Sequence, residues 1–145
     1  NSIINRVTEI GFSMIQLHGN ETLERVREIR SSSSLKIIKS FGIENKSDLE
    51  KTKQYEDVVD HFLFDSKPGE TELPGGNAKT FEWSSLNAFN SKKEFFLSGG
   101  LNIENVETAV NFNLTNFFDV SSGVESSPGV KDKQKISEFI NKIKN

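Results

Sequence analysis

The stretch Glu94-Phe95-Phe96-Leu97-Ser98-Gly99-Gly100-Leu101-Asn102-Ile103-Glu104-Asn105-Val106 decides the fold class. A short apolar run of strand length gives way to paired glycines, and an amphipathic pattern follows with Ile103, Val106 and Val110 on one face. Paired glycines between a strand and a helix allow a tight turn in which backbone N–H groups approach an anion closely, and a helix start behind them adds partial positive charge.

The same unit recurs on both sides. Runs of strand length and composition occur at Ser13–Leu17, Leu35–Lys39, His61–Phe64, Glu94–Leu97 and Asn116–Val120. Helical patterns lie between and after them, from Glu21 to Ile29, from Asn102 to Val110 and from Asp132 to Ile143, with Asn102 and Asp132 in N-cap positions. Strand therefore follows strand at roughly 20 to 30 residues, too far for hairpins and suited to crossover connections in a parallel sheet. The class is α/β. The turns after the strands carry the unusual residues: His18-Gly19-Asn20, Gly42, Asp65-Ser66-Lys67, Ser98-Gly99-Gly100 and Ser121-Ser122-Gly123. In a (β/α)8 TIM barrel such turns build the active site, with phosphate held after strands 7 and 8. The glycine-serine turns come last here, so residues 1–145 read as one partial barrel domain, strands 4 to 8. The chain opens Asn1-Ser2-Ile3-Ile4 without Met, and upstream strands are expected. Without them Ile15, Ile37, Phe62 and Phe96 would face inward uncovered. One connection stands apart: Ser66–Thr80, rich in Pro and Gly, is a candidate lid.

Composition narrows the function. Eighteen Lys and Arg against 21 Asp and Glu give a net charge of −3, which excludes a basic nucleic-acid grip. No stretch reaches the ~20 apolar residues of a membrane span, and no secretory signal is visible, so the expected compartment is the cytoplasm. No cysteine is present, which removes thiol nucleophiles and Cys-ligated metal, and two His make a metal centre a weak reading.

Candidate site residues follow from the turns. Asp65 ends an apolar, aromatic run, where desolvation raises a carboxyl pKa and fits it for general-acid work; an Asp there can also cap a loop or pair with Lys67. Gln16 and His18 alternate across Leu17 and so project to one face. Gly99 and Gly100, with Ser121, Ser122 and Gly123, describe one anion site between neighbouring strands. His61, at the opposite end of its strand, is given no function.

The segments Ile15–Glu21, Leu63–Asp65, Gly75–Trp83, Leu97–Val106 and Asp119–Asp132 together resemble phosphoribosylanthranilate isomerase, in family order and over almost the whole chain. The resemblance implies a (β/α)8 barrel carrying out an Amadori rearrangement in tryptophan biosynthesis. N-(5-phosphoribosyl)anthranilate becomes 1-(2-carboxyphenylamino)-1-deoxyribulose 5-phosphate, without cofactor or metal. It implies Asp65 as general acid, Gln16, His18 and Asp119 as substrate-pocket residues, and Gly99, Gly100, Ser121, Ser122 and Gly123 as the phosphate cradle. It also implies a Cys general base and a carboxylate-binding Arg on earlier strands. Ala78 stands where the family usually has Gly. The partner implied is a phosphosugar, with no nucleic acid or membrane, and fusion to or pairing with other enzymes of the pathway is possible within the family. Two readings compete: another phosphosugar barrel enzyme, against which Gln16–Gly19 and Lys79–Trp83 argue, and a non-catalytic phosphosugar-binding domain.

Overall fold

The structure, a computed structural model, describes residues 2–66 and 83–144. Elements run in the order α1 (Ser2–Ile10), β1 (Met14–Leu17), α2 (Leu23–Ser32), β2 (Lys36–Ile43), α3 (Lys46–Glu50), β3 (His61–Ser66), β4 (Phe95–Leu97), α4 (Val106–Asn111), β5 (Phe117–Phe118), β6 (Glu125–Ser127), β7 (Val130–Lys131) and α5 (Lys133–Lys144). β1 to β5 form one sheet in sequence order, and every neighbouring pair is parallel. All five expected strands are present. β2 runs further than its apolar run, so Gly42 lies within the strand opposite Asp65 and not in the turn after it.

Helix starts follow local chemistry. Thr22 caps α2 by accepting the Arg25 N–H. Asp132 caps α5 as expected, its Oδ1 accepting from the N–H groups of Gln134 and Lys135. Asn102 behaves differently. Its Oδ1 accepts from Glu104 and Asn105 N–H, which caps a turn, and the helix proper opens only at Val106.

Register fixes the two faces of the sheet. Leu17, Lys39, Phe62 and Phe95 are aligned across four strands, and this row faces the helices. With Val26, Ile29, Ile37, Ile43, Phe64, Leu97, Val106 and Phe139 they surround a continuous core, in which Phe64 and Phe89 meet edge to face at 4.9 Å. The other face carries the row Ser40, Leu63, Phe96 and Phe117. Three of the four residues expected to face inward lie on the helix side instead. Ile37 and Phe62 are fully buried on the helix side, Ile15 packs against the same core, and Phe96 alone of the four lies on the opposite face. The reason is that parallel strands are apolar on both faces, which removes the alternation that would reveal orientation.

On that opposite face His61 is not isolated: its ring lies 5.8 Å from Phe96 and 6.4 Å from Phe117. Beyond the five strands expected from the sequence, β6 and β7 form a separate antiparallel hairpin, turning through Pro128 and Gly129, the latter at φ 79°. The candidate lid, apart from Ser66, lies outside the described residues.

Candidate active site at the strand ends

Alternation beyond the strand ends collects the polar candidates on one face. His18 follows Gln16 by two residues, Ser98 follows Phe96, and Asp119 follows Phe117, so each continues the face opposite the core. The ladder extends to hold them: Ser98 N–H donates to Phe64 O at 2.8 Å, and Asp119 N–H to Leu97 O at 2.9 Å. Asp65 stands on the same face near the end of β3.

The side chains meet. Gln16 Nε2 lies 3.0 Å from His18 Nδ1. The other imidazole nitrogen, Nε2, faces Asp65 Oδ2 at 3.9 Å. The buried Ser98 donates its hydroxyl to Asp119 Oδ2 at 3.2 Å. Burial pushes the Asp65 carboxyl above its ordinary value, and the Asp119 charge pushes the same way. The Ser66 backbone N–H, the His18 charge and the Ser66 hydroxyl pull it back without cancelling the rise. An acid retained towards neutrality, with an imidazole beside it, can deliver a proton to an oxygen leaving group.

The glycine-serine turns adjoin this group. Gly99 and Gly100 have φ of 85° and 67°, and a Cβ on Gly99 would overlap the Ser66 backbone nitrogen and Asp65 Oδ1. Gly99 thus lets the turn lie directly against the acid. Behind it, Gly100 O accepts from the side-chain amides of Asn102 and Asn105 at 3.3 and 2.8 Å, so two asparagines shape the turn. A Cβ on Gly123 would overlap Leu101 O, which shows how tightly the second turn seats against the first. Ser121 and Ser122 are exposed at its rim.

Glu125 and Lys131, inside the Asp119–Asp132 segment, have a role that the sequence does not reveal. The Lys131 ammonium reaches Ser121 O at 2.9 Å, Ser121 Oγ at 3.1 Å and Glu125 Oε1 at 2.7 Å, which ties the hairpin back onto the serine turn. Glu125 Oε2 accepts the Gly129 N–H at 3.0 Å and closes the hairpin. The Pro-Gly pair at 128–129 was the available signal for a turn returning the chain there. Among the described residues no three His, Asp or Glu side chains stand together to hold a metal ion, and no helix is long and apolar enough to cross a membrane.

A parallel sheet with an acid, an imidazole and glycine-rich turns beyond the carboxyl ends of its strands defines the chain as an α/β protein with a strand-end site of the kind that barrel enzymes use. Comparison makes the assignment specific. The family model for N-(5'phosphoribosyl)anthranilate (PRA) isomerase matches residues 1–142, and the chain belongs to that family. It is 41% identical over 131 residues to an N-(5'-phosphoribosyl)anthranilate isomerase of Rhizobium rhizogenes, covering 90% of this chain and 59% of the relative. The isomerase of Rhizobium johnstonii is 44% identical with the same coverage. The chain thus spans 59% of the length of these curated relatives. A crystal structure of phosphoribosyl anthranilate isomerase from Thermotoga maritima superimposes with a TM-score of 0.80 at 36% identity, covering 99% of this chain and 67% of that one. A further isomerase structure, in complex with reduced 1-(o-carboxyphenylamino)-1-deoxyribulose 5-phosphate, matches with a TM-score of 0.75 at 31% identity, covering 99% and 65%.

Proposed function

We propose that this chain supplies the general acid and the phosphate cradle of a phosphoribosylanthranilate isomerase. In this reading Asp65 protonates the furanose ring oxygen of N-(5-phosphoribosyl)anthranilate as the ring opens, and a base then removes the C2′ proton of the resulting Schiff base. Loss of that proton gives an enolamine, which becomes the aminoketose when C1′ takes up a proton and the 2′-hydroxyl gives one up, so the reaction is proton transfer between positioned groups. Gln16, His18 and Asp119 line the substrate pocket. Backbone N–H groups of Gly99, Gly100 and Gly123 and the hydroxyls of Ser121 and Ser122 hold the 5-phosphate. The chain has no cysteine, so the Cys base implied by the family is not among residues 1–145.

The observation that carries this reading is the placement of Asp65. It has a raised pKa, His18 in front of it and the left-handed Gly99 against it. The relative bound to a reduced deoxyribulose 5-phosphate compound supports the phosphosugar class of substrate. The five strands are read as barrel strands 4 to 8 from the order of their turns, residues 1–145 as one domain and the compartment as cytoplasmic. Fusion to or pairing with another tryptophan-pathway enzyme fits the same reading. The test is the conversion of N-(5-phosphoribosyl)anthranilate, followed by loss of its anthranilate fluorescence, by the protein at its full natural length. Turnover that disappears in Asp65→Asn supports the assignment, and turnover unaffected by that change removes it.

A further inference from the structure

Lys39 is the anomaly of the core-facing row. Its register neighbours are Leu17 and Phe62, both buried, and its own side chain is 4% exposed. Burying an ammonium is unfavourable unless every proton finds an acceptor. Here Gly19 O at 2.9 Å, Glu21 Oε2 at 3.0 Å and Ser40 O at 3.1 Å take the three protons, with Leu17 O further off at 3.5 Å. The cation also lies 5.1 Å from the centre of the Phe41 ring. An apolar side chain would fill this row more cheaply, so the charge has work that packing does not explain.

That work is in the loop after β1. Leu17 and Gly19, whose carbonyls turn to Lys39, flank His18. Glu21 completes a clamp on Gly19, because its two carboxylate oxygens accept the Gly19 N–H at 3.1 Å each while Lys39 holds the Gly19 carbonyl. The Tyr55 hydroxyl donates to Glu21 O at 3.1 Å and secures the clamp from the far side. The His18 side chain itself is more than half exposed and has little packing of its own. Apart from the Gln16 contact at Nδ1, its backbone is what sets its reach towards Asp65.

We propose that Lys39 is a positioning residue: with Glu21 it clamps the backbone on both sides of His18 and so holds the imidazole beside Asp65. The catalytic consequence rests on the isomerase reading, whereas the clamp does not. Two titratable groups face Asp65, His18 and Asp119, and only the first lies on the clamped loop.

The experiment compares wild type, Lys39→Met, Glu21→Gln and the core variant Val26→Ala at full natural length. It follows the Asp65 carboxyl titration and the His18 imidazole shifts by 13C NMR, and the isomerase kcat and KM. Lys39→Met keeps an unbranched side chain one atom shorter and removes the ammonium protons. The Asp65 midpoint is expected to move upward as the His18 charge withdraws, with kcat falling roughly ten- to a hundredfold and KM changing less. Glu21→Gln loosens only one arm and should shift both readouts in the same direction by a smaller amount, which keeps the proposal testable if Lys39→Met does not fold. Val26→Ala weakens α2 packing without touching the clamp and should leave the Asp65 midpoint in place. An unchanged Asp65 midpoint and unchanged His18 shifts in the clamp variants would overturn the proposal, as would an equal shift in Val26→Ala. Absence of isomerase turnover in wild type defeats the functional reading while the NMR comparison still decides the clamp.

Discussion

His18 Nε2 faces Asp65 Oδ2 across 3.9 Å, although the two residues close different strands separated by β2. The distance leaves room for a substrate oxygen to be approached by both groups. Asp65→Asn keeps the shape of the carboxyl and removes its proton. Turnover is expected to fall by ~10²–10⁴-fold, the usual contribution of a general acid. Affinity for a reduced product analogue should change little, and steady-state kinetics with calorimetric binding to the same variant measure both.

The raised Asp65 pKa also has a sign in stability. Below the ordinary value of 3.8 the group is protonated in folded and unfolded chains alike and contributes nothing. As pH rises through the higher folded-state value, the folded protein must ionise a half-buried acid, and stability is lost. Asp65→Asn should therefore raise the denaturation midpoint at neutral pH, with the gain vanishing near pH 3. A urea series over that range checks it.

Asp60 behaves in the opposite sense. Burial pulls its carboxyl upward, but a two-armed contact from Arg30 at 2.6 and 3.0 Å and the Ile37 N–H at 2.8 Å outweigh this and hold it below its ordinary value. A lowered pKa gives stability that is present above 3.8 and lost as pH falls through the folded-state value. Asp60→Asn should destabilise the protein at pH 7 and flatten its acid unfolding limb. The same urea series, run in parallel, separates the two carboxylates by the direction of their effects.

Much of this arrangement is legible in the chain, and the exceptions have physical causes. The five strands announce themselves because each is a short run of apolar and aromatic residues bounded by polar turns, and Asp132 marks a helix start because its side chain can serve only the first turn. Asp65 stands out for ending an aromatic run with a charge. The faces of β2 and β3 do not show, because Ile37, Ile38, Phe62 and Leu63 are all buried and no alternation distinguishes them. Lys39 reads as a surface residue in any hydropathy pattern, since its acceptors come from a neighbouring loop that folding brings to it. Arg30 and Asp60 likewise pair through tertiary structure that no local spacing encodes.

Two left-handed glycines separate strain from contact. Gly129, at φ 79°, has open space where a Cβ would sit, so Gly129→Ala should cost only the left-handed penalty, ~1–2 kcal/mol. Gly99 has a similar φ of 85°, yet an added Cβ would meet Asp65 and Ser66. Gly99→Ala should lose more stability than Gly129→Ala and, unlike it, displace Asp65. Thermal unfolding ranks the two variants, and a drop in kcat confined to Gly99→Ala locates the contact at the acid.

The serine turn provides the test of the proposed phosphate site. Lys131 holds the Ser121 carbonyl oxygen at 2.9 Å as well as its hydroxyl, and Gly123 stays seated against Leu101 whatever occupies the two preceding positions. Removing the hydroxyls therefore leaves the turn in place and subtracts donors alone. Ser121→Ala/Ser122→Ala should weaken binding of a phosphorylated product analogue by about 1–3 kcal/mol in total, since each lost donor leaves a charged acceptor less satisfied. A dephosphorylated analogue carries nothing for these hydroxyls to hold, so its weaker affinity should be the same for wild type and variant. Isothermal titration of both ligands against both proteins gives the comparison as a double-difference free energy. A coupling near zero, with the two ligands weakened equally, would place the phosphate away from Ser121 and Ser122.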